Sequence, residues 1–126
     1  MSEMYTERLL DHYRHPRNAG RLESPDLVAE ESNTLCGDRV RVEARVKAGR
    51  IVEARFSGRG CALCLGAASI LTEMITGQTL DELETLGQKE FLTELQISIR
   101  PARLKCALLP WMAFRHAAYG DEAESF

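Results

Sequence analysis

The chain has 126 residues, 44% of them hydrophobic and 28% charged, with a formal net charge of −3. That is one domain's worth of globular composition, and a chain of this size buries roughly two thirds of its unfolded surface without staples. No run reaches the ~18 apolar residues of a membrane span, and a mildly acidic chain with few aromatics is a poor nucleic-acid binder.

The chain reads as one domain, 1–126, with no repeat or linker. Ser2 to Tyr13 is predicted as a helix with Tyr5, Leu9 and Tyr13 on one face, ended by His15-Pro16. Leu27 to Asn33 is a first strand. Arg39 to Lys47 alternates Val40, Val42, Ala44 and Val46 with charged residues, the pattern of a half-buried strand. A turn at residues 47–50 leads into its hairpin partner, where Val52, Ala54 and Phe56 alternate with Ile51, Glu53 and Arg55. Cys61 to Thr76 is apolar on nearly every side and rich in small residues, so it reads as a buried helix, with Gly77 as its stop. Thr79 and Glu82 form a capping box for a short helix to Leu86. Glu90 to Leu95 is another helix, and Ala107 to Tyr119 the last. Pro110 is expected within the first turn of that helix, where its missing N–H costs nothing. The fold class expected is α+β: a small three-stranded antiparallel sheet with helices packed on one face.

The N-terminal residues lack a signal-peptide core, so a cytoplasmic protein is expected. In that setting spaced cysteines read as metal-binding or catalytic rather than as disulfides. Cys36, Cys61 and Cys106 sit at element junctions, which lets loops bring thiols distant in sequence to one spot. Asp38 is a natural fourth ligand for zinc beside them, and iron–sulfur clusters are likewise held by thiolates. The helix N-terminus at Cys61, with Arg59, Arg103 and Lys105 near in sequence, makes a setting that attracts anionic sulfur. Cys64, one turn beyond Cys61, fits packing better than chemistry. His12, His15 and His116 lack metal-ligand spacing and fit structural or solvated roles, while Trp111 fits the core or a partner anchor. Charge is uneven: residues 39–59 carry seven Lys/Arg against two Glu, and residues 73–94 carry six acids against one Lys. Such a split suits two solvated faces, or steering of an acidic partner to the strand side.

Four ordered motifs then resemble a known family. They are Tyr5 to Asn18 (YTERLLDHYRHPRN), CGD at 36–38, FSGRGCALCLGAAS at 56–69 and RLKCALLPW at 103–111. Together they resemble the IscU/NifU/SufU iron–sulfur assembly scaffolds. The resemblance implies that Cys36, Cys61 and Cys106 are the assembly cysteines, with Cys106 or Cys36 receiving sulfur. It implies that Asp38 co-ligates zinc or tunes release of a transient [2Fe-2S] or [4Fe-4S] cluster. It also implies a cysteine desulfurase as partner, with downstream iron–sulfur carriers or apo-proteins as recipients. Lys105 stands where IscU and NifU types have histidine, and is similar to the SufU type, a zinc-dependent sulfurtransferase. The insertion of about twenty residues that the SufU type carries before its last cysteine has no room here. Residues 99–103, Ile-Arg-Pro-Ala-Arg, replace the IscU chaperone motif, and Cys64 replaces a serine usual in the family. Two rival classes are a structural zinc-binding interaction domain and a redox enzyme using Cys61 and Cys64.

Overall fold

The computed structural model describes residues 6–35, 37–96 and 100–120. Three strands form an antiparallel sheet in the order β1 (Leu27–Asn33), β2 (Asp38–Lys47), β3 (Arg50–Arg59). Val40, Val42 and Ala44 face inward with Ala54 and Phe56, and α2 (Ala62–Ile75) and α5 (Leu104–Tyr119) cover that face. α1 (Glu7–Arg14) lies on α2, α4 (Gln88–Leu95) packs against α5 and α2, and α3 (Leu80–Leu83) is tied to α5 by hydrogen bonds from Arg115 and Tyr119 to its carbonyls. The predicted α+β layout is the observed one.

Local chemistry sets the element ends. Thr6 is extended and its hydroxyl accepts the Leu9 amide, so α1 starts at Glu7 rather than near Ser2. The predicted face is also narrower: Leu9 is buried, Tyr13 is 42% exposed, and Tyr5 lies outside the described residues. Thr79 and Glu82 make the expected capping box, but the α-helix they open ends at Leu83. In the hairpin, Arg45 pairs with Glu53 and Val46 with Ile51, so Val52 is an extra residue in β3. This bulge reverses the expected parity at the strand's start. Ile51 is fully buried and Val52 is 46% exposed.

The last helix corrects two expectations. It opens at Leu104, so Cys106 belongs to its first turn rather than preceding it. Pro110 lies well inside it and offers no N–H to the carbonyl of Cys106. A mid-helix proline costs about 3 kcal/mol. Residues 106–114 are all buried, and one large side chain contributes about 1.5–3 kcal/mol on burial, so packing overrides the local cost. Trp111 is among them, its Nε1–H donating to the Leu86 carbonyl at 2.8 Å. It is core and not a surface anchor.

The segment before β1 straps the sheet. Its backbone pairs with Phe56 at Asn18 and Gly20, then crosses the outer face. There Glu43 is only 1% exposed, although the alternation puts it on the solvent side. Its carboxylate accepts the Leu22 amide at 2.7 Å and the Arg41 side chain at 2.5 Å. Burial by itself pushes the Glu43 carboxyl up. Hydrogen bonds from Arg41 and Leu22, helped by the Arg21 charge, outweigh it and hold the group below the ordinary range.

His12 is the other buried polar anchor, more enclosed than its place near a helix end suggests. Its Nδ1 shares a 2.7 Å hydrogen bond with Ser69 Oγ, which also accepts the Arg17 amide at 2.9 Å. Burial pulls His12 below its ordinary value; Arg17 adds to this and Glu73 opposes it. The folded chain therefore holds His12 neutral. Its contribution to stability is complete above the unfolded value, about 6.5, and is lost as pH falls through the lower folded value. The urea midpoint should drop as pH falls below about 6.5, and less steeply in His12→Asn than in wild type. Parallel slopes in the two proteins would remove His12 from the account.

Candidate metal centre

Three elements meet at one end of the sheet. Asp38 is the first residue of β2 and points to the same side as Val40, toward the helices. Cys61 is the N-cap residue of α2, and Cys106 lies in the first turn of α5. One oxygen of Asp38 and the sulfurs of Cys61 and Cys106 all lie within 4.8 Å of one another. Cys61 Sγ is 3.6 Å from Asp38 Oδ2. A tetrahedral zinc site with bonds near 2.3 Å has ligand–ligand edges of about 3.7 Å, so the cluster has nearly the right size. The donor set of two thiols and one carboxylate suits zinc or iron, and a fourth ligand would complete it. The remaining predicted ligand, Cys36, lies outside the described residues.

The site is partly sheltered. Asp38 and Cys106 are buried, and Cys61 is half-buried. A cavity of about 410 Å³ opens beside Cys106, bounded by Asn33, Leu35 and residues 101–103 and 105. Leu35 is 88% exposed at its mouth. Arg103, in the 3₁₀ turn Pro101–Arg103 before α5, donates from its guanidinium to Cys61 Sγ at 2.8 Å. A divalent ion with three thiolates and a carboxylate would carry a net charge of about −2, which a neighbouring guanidinium offsets.

Two features of this site are non-local and escape the sequence pattern. One is the direct Arg103–Cys61 contact, across 42 positions of chain. The other is Gly60. A Cβ there would stand 3.0 Å from Asp38 Cγ and 3.2 Å from Oδ1. The signal available was the glycine immediately before a cysteine at a strand–helix junction. Gly60→Ala should push the carboxylate aside and weaken zinc binding about 10-fold, as misorienting a ligand does. Competition against a chromophoric chelator measures this, and unchanged affinity would show that Asp38 has room to yield. The other expectations resolve simply. Cys64 is fully buried in the core, His15 is exposed at the end of α1, and His116 pairs with Glu31.

The fold and this cluster define a small α+β protein with thiols and a carboxylate gathered at the sheet's end. The chain belongs to the family of the NifU-like N terminal domain, whose model matches residues 4–123. It is 30% identical to the zinc-dependent sulfurtransferase SufU of Bacillus subtilis, over 97% of this chain and 94% of that one. It is 32% identical to the iron–sulfur cluster assembly scaffold protein IscU of Azotobacter vinelandii, over 90% of each. Among solved structures it is similar to SufU of Fervidobacterium islandicum AW-1, described as a cluster assembly scaffold for the SUF system. That match has a TM-score of 0.75 and 26% identity, over 91% of this chain and 96% of the other. The N-terminal NifU-like protein of Brucella abortus shares the fold, with a TM-score of 0.75 at 21% identity, over 96% and 97% of the two chains. Among the described residues no helix is long and apolar enough to cross a membrane.

Proposed function

We propose that the chain is an iron–sulfur cluster assembly protein that accepts sulfur from a cysteine desulfurase and holds a transient [2Fe-2S] or [4Fe-4S] cluster as cargo. The observation that carries this reading is the convergence of Asp38, Cys61 and Cys106 from three separate elements. Cys36, two residues before Asp38, is proposed as the remaining thiolate. When zinc is bound there it ties up the thiolates and shields them from oxidation. Asp38 contributes a harder, more easily exchanged oxygen ligand than a fourth thiolate would. Cys106 or Cys36 is proposed to receive sulfur, and Arg103 supplies a cationic donor beside the neighbouring Cys61 sulfur.

The surroundings suit a protein partner presenting acidic groups. Arg21, Arg39, Arg41 and Arg59 line a hollow of about 250 Å³ on the outer face of the sheet, tempered by Glu30. Leu35 offers an apolar contact beside the site. A cytoplasmic setting, where thiols stay reduced, fits this chemistry.

A second reading is a zinc-dependent sulfurtransferase without a scaffold role. Lys105 immediately before Cys106 favours it, as does the extent of the match to SufU. One experiment separates the two. The protein is purified anaerobically, its zinc and iron are measured, and desulfurase, cysteine and ferrous iron are added. A labile visible chromophore is the result expected of a scaffold. Bound zinc, faster desulfurase turnover and no chromophore would replace it with the transferase. Tight zinc with neither effect would leave only a structural zinc domain.

A further inference from the structure

We propose that Cys64 is the resolving thiol of this site, attacking a persulfide carried on Cys61 and expelling its outer sulfur as sulfide. The inference rests on the reading that the site accepts sulfur, and it gives a role to a thiol which that reading leaves unused.

The placement is specific. Cys61 caps α2 and Cys64 is the third residue of the helix. Helical positions three apart have Cα atoms about 5 Å apart, inside the ~4.4–6.8 Å that a disulfide spans. The Cys61 sulfur now rests against Asp38 and Arg103 and makes no cap hydrogen bond, so turning about its own χ1 is the motion that would bring it toward Cys64. Cys64 also borders the site through Gly60. A Cβ on Gly60 would meet Cys64 Cβ at 3.3 Å and the Asp38 carboxyl carbon at 3.0 Å. The glycine thus lets the carboxylate and Cys64 approach one small space from two sides.

Exposure divides the labour. Cys61 is half-buried, within reach of an incoming sulfur, while Cys64 is fully buried. Of these two thiols a donor therefore meets Cys61 first, and Cys64 is protected from loading. Sulfur that enters at Cys106 reaches Cys61 by exchange, because their sulfurs lie within 4.8 Å. In that step Cys61 takes the outer sulfur and Cys106 regains its thiol.

Resolution follows as ordinary thiol–disulfide chemistry. Cys64, having lost its proton, attacks Sγ of Cys61. The bond between Sγ and the outer sulfur breaks, and its electron pair leaves with that sulfur as hydrosulfide. A Cys61–Cys64 disulfide remains. The two thiols have supplied the two electrons that turn sulfane sulfur into sulfide. Arg103, 2.8 Å from Cys61 Sγ, is placed to offset the charge on the departing sulfur. A dithiol reductant then restores both thiols.

The test uses the full chain, reduced, freed of metal with a chelator and loaded with inorganic polysulfide under anaerobic conditions. Excess polysulfide is removed by gel filtration. Bound sulfane sulfur is followed by cyanolysis, sulfide by colorimetry and disulfides by peptide mapping. Wild type is expected to lose its sulfane sulfur without added reductant, release an equal amount of sulfide and yield a Cys61–Cys64 disulfide. Cys64→Ser and Cys64→Ala, checked for native circular dichroism, should hold the sulfur roughly 10-fold longer or more. Equal lifetimes in all three proteins, or sulfide release coupled to a different disulfide, would overturn the role of Cys64 and leave sulfur acceptance standing. Failure of every protein to take up sulfur would instead sink the acceptance reading, and this inference with it. If neither variant folds, the disulfide mapped in wild type decides.

Discussion

Cys61→Ser and Cys106→Ser are each expected to lower zinc affinity by about 100-fold or more, and Asp38→Ala by less. The reasoning starts from ligand chemistry. Disturbing a group that merely orients a ligand costs about 10–100-fold, so deleting a thiolate should cost at least the upper figure. Serine keeps the volume but offers a hydroxyl that holds zinc poorly at neutral pH. Both sulfurs are within 4.8 Å of each other and of the Asp38 oxygen, so each removal takes away a corner of the same polyhedron. The loss should also reach the fold. The cluster joins the start of β2, the cap of α2 and the first turn of α5, three elements that lack any covalent link there. Zinc at about 100 times its dissociation constant adds about 2.7 kcal/mol to stability. For a domain of this size that is a rise in melting temperature of roughly 10 °C, which chelation should abolish in wild type. In Cys61→Ser and Cys106→Ser the melting temperature should respond little to zinc. A wild-type melting curve indifferent to zinc and chelator would refute the metal centre as drawn.

Much of this centre was legible in the sequence, and for a physical reason. CGD, GRGC and RLKC carry candidate ligands at element junctions, and Asp38, Cys61 and Cys106 from them converge. The sheet was legible too, since Val40, Val42 and Ala44 alternate against charges. What escaped was non-local. Alternation alone puts Val52 inward, because it cannot reveal a bulge that shifts its parity. Local rules confine Pro110 to a first turn, whereas the burial of residues 106–114 outweighs that rule. Glu43 read as a solvated charge because only the folded strap before β1, with the Leu22 amide, covers it. Arg103 could be placed near the site but not on Cys61, since that contact depends on how the 3₁₀ turn enters α5.

Gly58→Ala tests how far the strand end governs the site. Gly58 lies in β3 opposite Val40, with φ +149°, a conformation that side-chain-bearing residues rarely adopt. A Cβ there would stand 2.1 Å from the Arg39 carbonyl oxygen and 3.0 Å from Val40 Cα. Both are backbone atoms, so no rotamer change relieves the overlap and the strands must separate. Strain at such a dihedral costs about 1–3 kcal/mol, and each ladder hydrogen bond lost adds about 1 kcal/mol. A destabilisation of about 4 kcal/mol is therefore expected, a large share of the ~5–15 kcal/mol that holds a typical domain. Gly49→Ala is the comparison. Gly49 also has positive φ, +78°, but its added Cβ would meet nothing within 4 Å beyond its chain neighbours, so it should lose only about 1–2 kcal/mol. The two variants share dihedral strain and differ in the backbone collision. Urea unfolding of both at saturating zinc separates these effects, and equal losses would refute the collision. Arg59, Gly60 and Cys61 follow Gly58 directly, while Arg39 and Asp38 lie on the strand it would displace. Prying that register apart moves Cys61 away from Asp38, so Gly58→Ala should also lose zinc affinity, and Gly49→Ala, at the far end of the hairpin, should keep it.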